Sequence, residues 1–314
     1  MIYAGAKALF YALSRSATLK RLASRYGMAT PDSFARRFIA GETVEEAIGA
    51  ARALQARGLM ITLDYLGESV RTMEEAQAAT REYARLIDVI LGAGIERNLS
   101  IKLTQLGVNI DRATCVDNLR RILEPAQRHD FFVRLDMENT PYTEVTLEVF
   151  ETLWQQEYRN IGVALQAYLH RTEADVRRMN TLGARVRLVK GAYKEPPSVA
   201  YQQKTEVDEA FLRLMRILLE EGTYPAIATH DEQLIEETRA YARERGISSD
   251  RYEFQMLYGI RRDLQASLVA AGYRMRIYVP FGRQWFPYFM RRLGERPANV
   301  AFVLRGILQE RSQK

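Results

Sequence analysis

The spacing of apolar residues changes character near residue 59. Before it, apolar positions recur at helical period in ALFYAL, in FARRFI and across TVEEAIGAARALQARG, which closes on Gly58. Thr43 followed by Glu46 predicts a capping box at the start of that last helix. After it, short β-branched or aliphatic runs alternate with charged helical stretches. The runs are LMITLDYL (59–66), LSIKLT (99–104), FFVRLDME (131–138), GVALQAYL (162–169), RVRLVK (185–190), PAIATH (225–230), YEFQML (252–257) and RMRIYVP (274–280). They are spaced at intervals of roughly 20 to 40 residues, long enough for a helical return between parallel strands. Eight such units close a (β/α)8 TIM-type barrel. An open doubly wound sheet loses ground because no G-x-G-x-x-G follows any of the runs. The expected organisation is an N-terminal helical segment over 1–58 and a barrel over 59–314.

Composition agrees with a packed fold. The 314 residues are 47% hydrophobic and 27% charged, with 19 Gly and 9 Pro, which excludes wholesale disorder and collagen-like classes. A length near 300 suggests two domains on average size, yet single barrels run to about 250 residues. Cys115 alone allows neither an internal disulfide nor a multi-cysteine zinc site and fits a reducing, cytoplasmic compartment. No apolar run approaches the roughly 18 residues of a membrane span. The basic, amphipathic stretch over 1–21 has no secretory core; it reads as a helix covering the barrel or docking on an anionic bilayer. The net charge is +6, and of 45 Lys and Arg only seven are Lys. These cations alternate with acids instead of gathering in a stripe, so nucleic acid is not an expected partner.

Polar residues collect where the strands end. Asp64, Lys102, Asp136, Gln166, Arg187 with Lys190, Thr229 with His230, Gln255 and Tyr278 fall at the C-terminal ends of the eight runs in turn. Barrel enzymes carry their active sites on that rim. Asp64, Lys102 and Asp136 could equally neutralise one another as a buried cluster, and His230 could be a structural histidine. No H-x-x-x-H or H-E-x-x-H spacing points to zinc, and neither a nucleophile elbow nor a P-loop occurs. After Pro280 comes FGRQWFPYFMRRLGERPAN. Pro287 suits a first helical turn, which puts Tyr288, Arg291 and Arg292 on one face. Two guanidiniums near a helix start oppose the helix dipole, so they read either as a clamp for a small anion or as surface charge. Tyr278, Trp285 and Tyr288 around them would shield a compact apolar ring from water.

Taken together, DYLGES (64–69), SIKLTQLG (100–107), RLDMEN (134–139), RLVKGAY (187–193), ATHD (228–231), EFQMLYGI (253–260) and YVPFGRQWFPYFMRRLGERPAN (278–299) resemble the proline dehydrogenase family in its short monofunctional form. The resemblance implies oxidation of L-proline to Δ1-pyrroline-5-carboxylate by hydride transfer to N5 of FAD, with electrons passing to a membrane quinone. It implies that Arg291, Arg292 and Lys102 bind the proline carboxylate, that Asp136 holds Lys102, and that Tyr278 and Leu257 pack on the ring. Arg187 would lie near flavin N5, Gln166 and Met137 beside the ring system, and Lys190, Gly191 and Ala192 along phosphate and ribose, with Thr229 and His230 farther on. Glu68 would pair with one of the arginines as a gate. Another flavin-dependent barrel, such as a methylenetetrahydrofolate reductase-like enzyme, and a non-catalytic anion-binding barrel are the alternatives.

Overall fold

The computed structural model describes Met28 and residues 33–295, the last five as backbone. The helix expected around ALFYAL lies outside the described residues. Eight strands close a barrel in chain order: β1 (Met60–Tyr65), β2 (Asn98–Ile101), β3 (Phe132–Leu135), β4 (Ile161–Gln166), β5 (Arg185–Val189), β6 (Ala226–Ala228), β7 (Glu253–Leu257) and β8 (Met275–Phe281). Every neighbouring pair is parallel, and the seam between β1 and β8 runs in register from Met60 opposite Arg276 to Tyr65 opposite Phe281. Strands covered on both faces read as unbroken apolar runs, and β4 is buried at all six positions.

Helix α1 (Val44–Gln55) starts on the predicted capping box: the Thr43 side chain accepts from the Glu46 N–H, and the Glu46 carboxylate accepts from the Thr43 N–H. It packs against β1 and β8. Helices α2 (Met73–Ala93), α3 (Arg112–Arg128), α4 (Thr143–Gln155), α5 (Thr172–Leu182), α6 (Lys204–Glu221), α7 (Glu232–Glu244) and α8 (Arg262–Ala270) fill the seven crossovers. Among the described residues, no helix is long and apolar enough to cross a membrane.

Two segments depart from simple periodicity. FARRFI yields a 3-10 turn, Phe34–Arg37, rather than an α-helix. Beyond it the chain is captured by the end of β8: the Ala40 N–H donates to the Pro280 carbonyl at 2.9 Å, and the Gly282 N–H donates to the Gly41 carbonyl at 2.9 Å. These bonds use backbone groups that a continuing helix would need. The second is α9 (Trp285–Glu295), which does not return along the barrel wall. Trp285, Phe286 and Phe289 join Phe38, Ile39 and Leu66 in a cluster separate from the main core, with Tyr278 against it. The Trp285 indole N–H donates to Glu42 at 2.8 Å. Leu66 lies just beyond β1, so α9 caps the C-terminal mouth.

Gly259, in the loop after β7, has φ +74°. A Cβ there would stand 1.6 Å from the Arg37 carbonyl oxygen, so the loop threads directly under the 3-10 turn. Gly259→Ala is expected to lower the unfolding free energy by about 2 kcal/mol or more. Gly49→Ala, in open space within α1, is expected to raise it by about 0.5–1 kcal/mol. Urea denaturation of the two variants checks both.

Candidate active site

The strand ends deliver the predicted side chains at two depths. Asp64 is the fifth residue of β1, Lys102 and Asp136 directly follow β2 and β3, and Gln166 ends β4. Arg187, Gln255 and Tyr278 were expected at strand termini. They sit mid-strand, because β5 runs on to Val189, β7 to Leu257 and β8 to Phe281. These three therefore reach the cavity from below and form its floor.

Asp136 organises that floor. Its Oδ2 accepts from the Tyr278 hydroxyl at 2.6 Å and from Lys102 Nζ at 3.1 Å, while its Oδ1 accepts from Arg187 Nη1 at 2.7 Å. Lys102 also donates to Asp64 Oδ1 at 3.1 Å and to the Tyr278 hydroxyl oxygen at 3.2 Å. The three N–H bonds of its ammonium thus have three acceptors. Arg187 spreads its fork further, donating from Nε to Gln255 Oε1 at 2.6 Å and from Nη2 to Ser100 Oγ at 3.0 Å. Its guanidinium also faces the Tyr278 ring, 5.3 Å from the centroid.

Charge states follow from this pairing. Burial would raise the Asp136 carboxyl, but Lys102 and Arg187 outweigh it and hold it below the usual carboxylate range. At Asp64 burial prevails over Lys102 and the carboxyl is raised; its Oδ2 is buried with no hydrogen-bond partner among the described residues. Burial opposes the Lys102 charge, yet Asp64, Tyr278 and Asp136 together keep the ammonium well above its ordinary value. Burial and the neighbouring Asp136 and Asp64 push the Tyr278 hydroxyl well up, so it remains a donor.

Above the floor opens a cavity of about 460 Å³, and the predicted residues line it with few exceptions. Met137, Gln166 and Leu257 flank its inner part, with Tyr288 of α9 overhead. The Gln166 amide donates to the Glu138 carbonyl at 2.9 Å, which fixes its orientation. Ala164 and Ala228 occupy positions where larger side chains would fill the barrel mouth. At the outer end lie Lys190, Gly191 and Ala192, with Thr229 and His230 facing them. Gly191 has φ +121°, and a Cβ would meet the Tyr168 ring at 2.3 Å, so only glycine permits this turn. His230 Nε2 accepts from the Leu257 N–H at 2.9 Å, which fixes a neutral ring protonated at Nδ1 and ties β6 to β7.

Three candidates stand apart. Glu68 is half-buried in the loop after β1 and does not line the cavity. Arg291 and Arg292 are carried by α9 above the mouth, with side chains outside the described residues. Conversely, sequence reading assigned no role to Asp208, Asp231 or Ser100. Asp231 and Asp208 hold Lys190 at 2.9 and 2.5 Å, and Lys204 joins the same carboxylates. Asp231 also caps α7, its side chain accepting from the Gln233 N–H. Asp208 lies on α6, and no spacing signal pairs it with a strand end.

A closed parallel barrel with a charged, densely hydrogen-bonded floor under a C-terminal cavity is the architecture of a barrel enzyme. The chain belongs to the proline dehydrogenase family, whose model matches residues 47–305. It is 42% identical over 302 residues to proline dehydrogenase 1 of Bacillus subtilis strain 168, covering 96% of this chain and 99% of that protein. It is 42% identical over 281 residues to proline dehydrogenase of Deinococcus radiodurans, covering 88% and 91%. Among solved structures, proline utilization A (PutA) of Bdellovibrio bacteriovorus, inactivated by N-propargylglycine, superposes with a TM-score of 0.78 at 28% identity. That match covers 83% of this chain and 32% of PutA, so the chain spans about a third of that longer protein.

Removing the Asp136 carboxylate takes from Arg187 its ion-pair partner among the described residues and from Lys102 one of two. Asp136→Asn is expected to cost about 3–5 kcal/mol, and Asp64→Asn less, since the Asp64 carboxyl is already raised and Lys102 keeps other partners. The Asp136 contribution is present above the unfolded carboxylate pKa of about 3.9 and is lost as pH falls through its lower folded value. Urea midpoints measured between neutral pH and pH 3 should show that acid limb shallower in Asp136→Asn.

Proposed function

We propose that this chain oxidises L-proline to Δ1-pyrroline-5-carboxylate, with FAD as cofactor and a membrane quinone as final acceptor. The observation that carries the proposal is the cationic floor of Lys102 and Arg187, fixed by Asp136 and roofed by the helix that bears Arg291 and Arg292. Family membership supports it. The cavity also fits the cofactor's shape. An apolar inner part with Ala164 and Ala228 in place of bulky side chains suits a planar ring, and a glycine turn suits a phosphate.

In this reading Met137, Gln166, Arg187, Lys190, Gly191, Ala192, Thr229 and His230 hold FAD. Because Asp208 and Asp231 already neutralise Lys190, the phosphate contact falls chiefly to the Gly191–Ala192 backbone. The chemistry that FAD would supply there is hydride acceptance and onward electron transfer to a quinone.

The protein's own groups bind and orient. Arg291, Arg292 and the positive field of Lys102 hold the proline carboxylate; Tyr278, Leu257 and Tyr288 close on the ring and exclude water. The same cations disfavour a protonated amine, easing loss of the proton that must leave the substrate nitrogen. Arg187 cannot move far, being held by Asp136, Gln255 and Ser100, so its charge stands ready where electrons arrive. Glu68 acts at the mouth as a gate. The basic prefix provides peripheral contact with the cytoplasmic membrane that carries the quinone.

Purified protein is expected to be yellow and to bleach on anaerobic addition of L-proline; a colourless protein that takes up no FAD would sink the proposal. Arg291→Lys and Arg292→Lys are each expected to raise the proline KM at least about tenfold, or about 1.4 kcal/mol, with flavin retained. Normal steady-state kinetics in both variants would refute the clamp.

A further inference from the structure

The opposite, N-terminal mouth of the barrel holds a second built feature. Five side chains alternate cation and ring. Arg134 lies over Phe132 at 4.8 Å, Arg185 faces both Phe132 at 5.1 Å and Tyr224 at 5.3 Å, and Arg274 lies over Tyr224 at 5.4 Å. Among the described residues none of these three guanidiniums makes an ion pair with a carboxylate. Of the acids nearby, Glu253 is gripped by Arg276 through Nε and Nη2, Glu96 is held by its Nη1, Asp130 stands 3.9 Å from Arg97, and Asp250 lies within electrostatic reach of Arg274 without forming an ion pair. Rings and neutral oxygens take the place of carboxylates here: Arg134 donates to the Val163 and Arg185 carbonyls at 3.2 and 2.6 Å, and Arg274 donates to the Tyr224 hydroxyl.

The arrangement is shaped at the backbone as well. A Cβ on Gly162 would stand 2.7 Å from the Phe132 ring, 2.5 Å from the Arg185 carbonyl oxygen and 3.0 Å from Arg134, so the glycine makes room for the ladder. Tyr224 is held in the left-handed region, φ +47°, by donating its hydroxyl to Glu253 at 3.1 Å and accepting from Arg274 at 3.2 Å. Such strain persists only where surroundings enforce it. Arg134 is buried, its Nε has no acceptor, and burial together with the neighbouring Arg187 strongly disfavours its charge. A cavity of about 530 Å³ is lined by four arginines, Arg97, Arg185, Arg274 and Arg276, against two carboxylates, Glu96 and Asp130.

We infer that this N-terminal mouth is a binding site for a small phosphate-type dianion, distinct from the C-terminal cavity. The Arg185 guanidinium lies against two rings and donates no hydrogen bond among the described residues, so its N–H fork is available to match two oxygens of a phosphate. The two exposed arginines, Arg185 and Arg274, supply the charge that an anion would meet. Residues at this end of a barrel ordinarily serve stability, and unpaired cations serve it poorly. The inference stands on this mouth alone and does not depend on the chemistry proposed for the other.

The test is calorimetric titration of the holoenzyme with inorganic phosphate, against chloride at matched ionic strength. Saturable phosphate binding is expected, weakened at least tenfold in Arg185→Gln and in Gly162→Ala. Arg185→Lys, which keeps the charge and loses the fork, is expected to weaken it several-fold while melting with the wild type in chloride. Phosphate at saturating level should leave the KM of the C-terminal site for its substrate unchanged. Absence of saturable binding, equal binding in wild type and Arg185→Gln, or competition with that substrate would overturn the assignment.

Discussion

One carboxylate, that of Asp136, makes the interior of this barrel possible. Lys102 and Arg187 are both buried, and each would be costly there without a partner. Asp136 meets the two with separate oxygens and takes the Tyr278 hydroxyl besides, so a single anion from β3 fixes groups from β2, β5 and β8. Asp64 shares Lys102 with it, so two cations and two carboxyl groups from four strands meet in one buried cluster. The buried neutralising cluster that the sequence allowed for Asp64, Lys102 and Asp136 is the arrangement found.

The roof depends on a different force. Helix α9 gives up the usual place beside β8, and α1 packs against β8 and β1 instead. What holds α9 over the mouth is a patch of aromatic rings shared with the segment before α1. Phe38 and Phe289 lie 6.1 Å apart, and Trp285 packs edge-on to Phe289 at 5.8 Å. This small cluster is separate from the main core, so the roof can in principle shift while the barrel stays intact. Its position places Tyr288 directly over the cavity.

Much of the site was readable because a parallel barrel puts each strand's last residues on one rim. Asp64, Lys102, Asp136, Gln166, Thr229 and His230 follow from that rule alone. Residues such as Asp208 and Ser100 were not readable. Asp208 reaches Lys190 from a helix, and Ser100 looks like an ordinary β-strand position until Arg187 is seen to bond it. The mid-strand depth of Arg187, Gln255 and Tyr278 was also hidden, since pattern gives the start of an apolar run more sharply than its end. His230 resolved toward a structural bond, its Nε2 accepting a backbone N–H, while its ring still borders the cavity.

By itself the sequence determined the number of strands, their parallel order, the cap of α1 and the family, because those rest on local periodicity, short-range hydrogen bonds and motif order. Tertiary structure alone decided which charges pair. Spacing along a chain says nothing of whether Asp136 meets one cation or two, or that Phe132 and Tyr224 serve as platforms for arginines. It also decided that α9 lies across the mouth and that FARRFI tightens into a 3-10 turn, since backbone bonds to the end of β8 outweigh local helical preference there. Local propensity is worth tenths of a kcal/mol per residue, and burying a ring or pairing a buried charge is worth several times more.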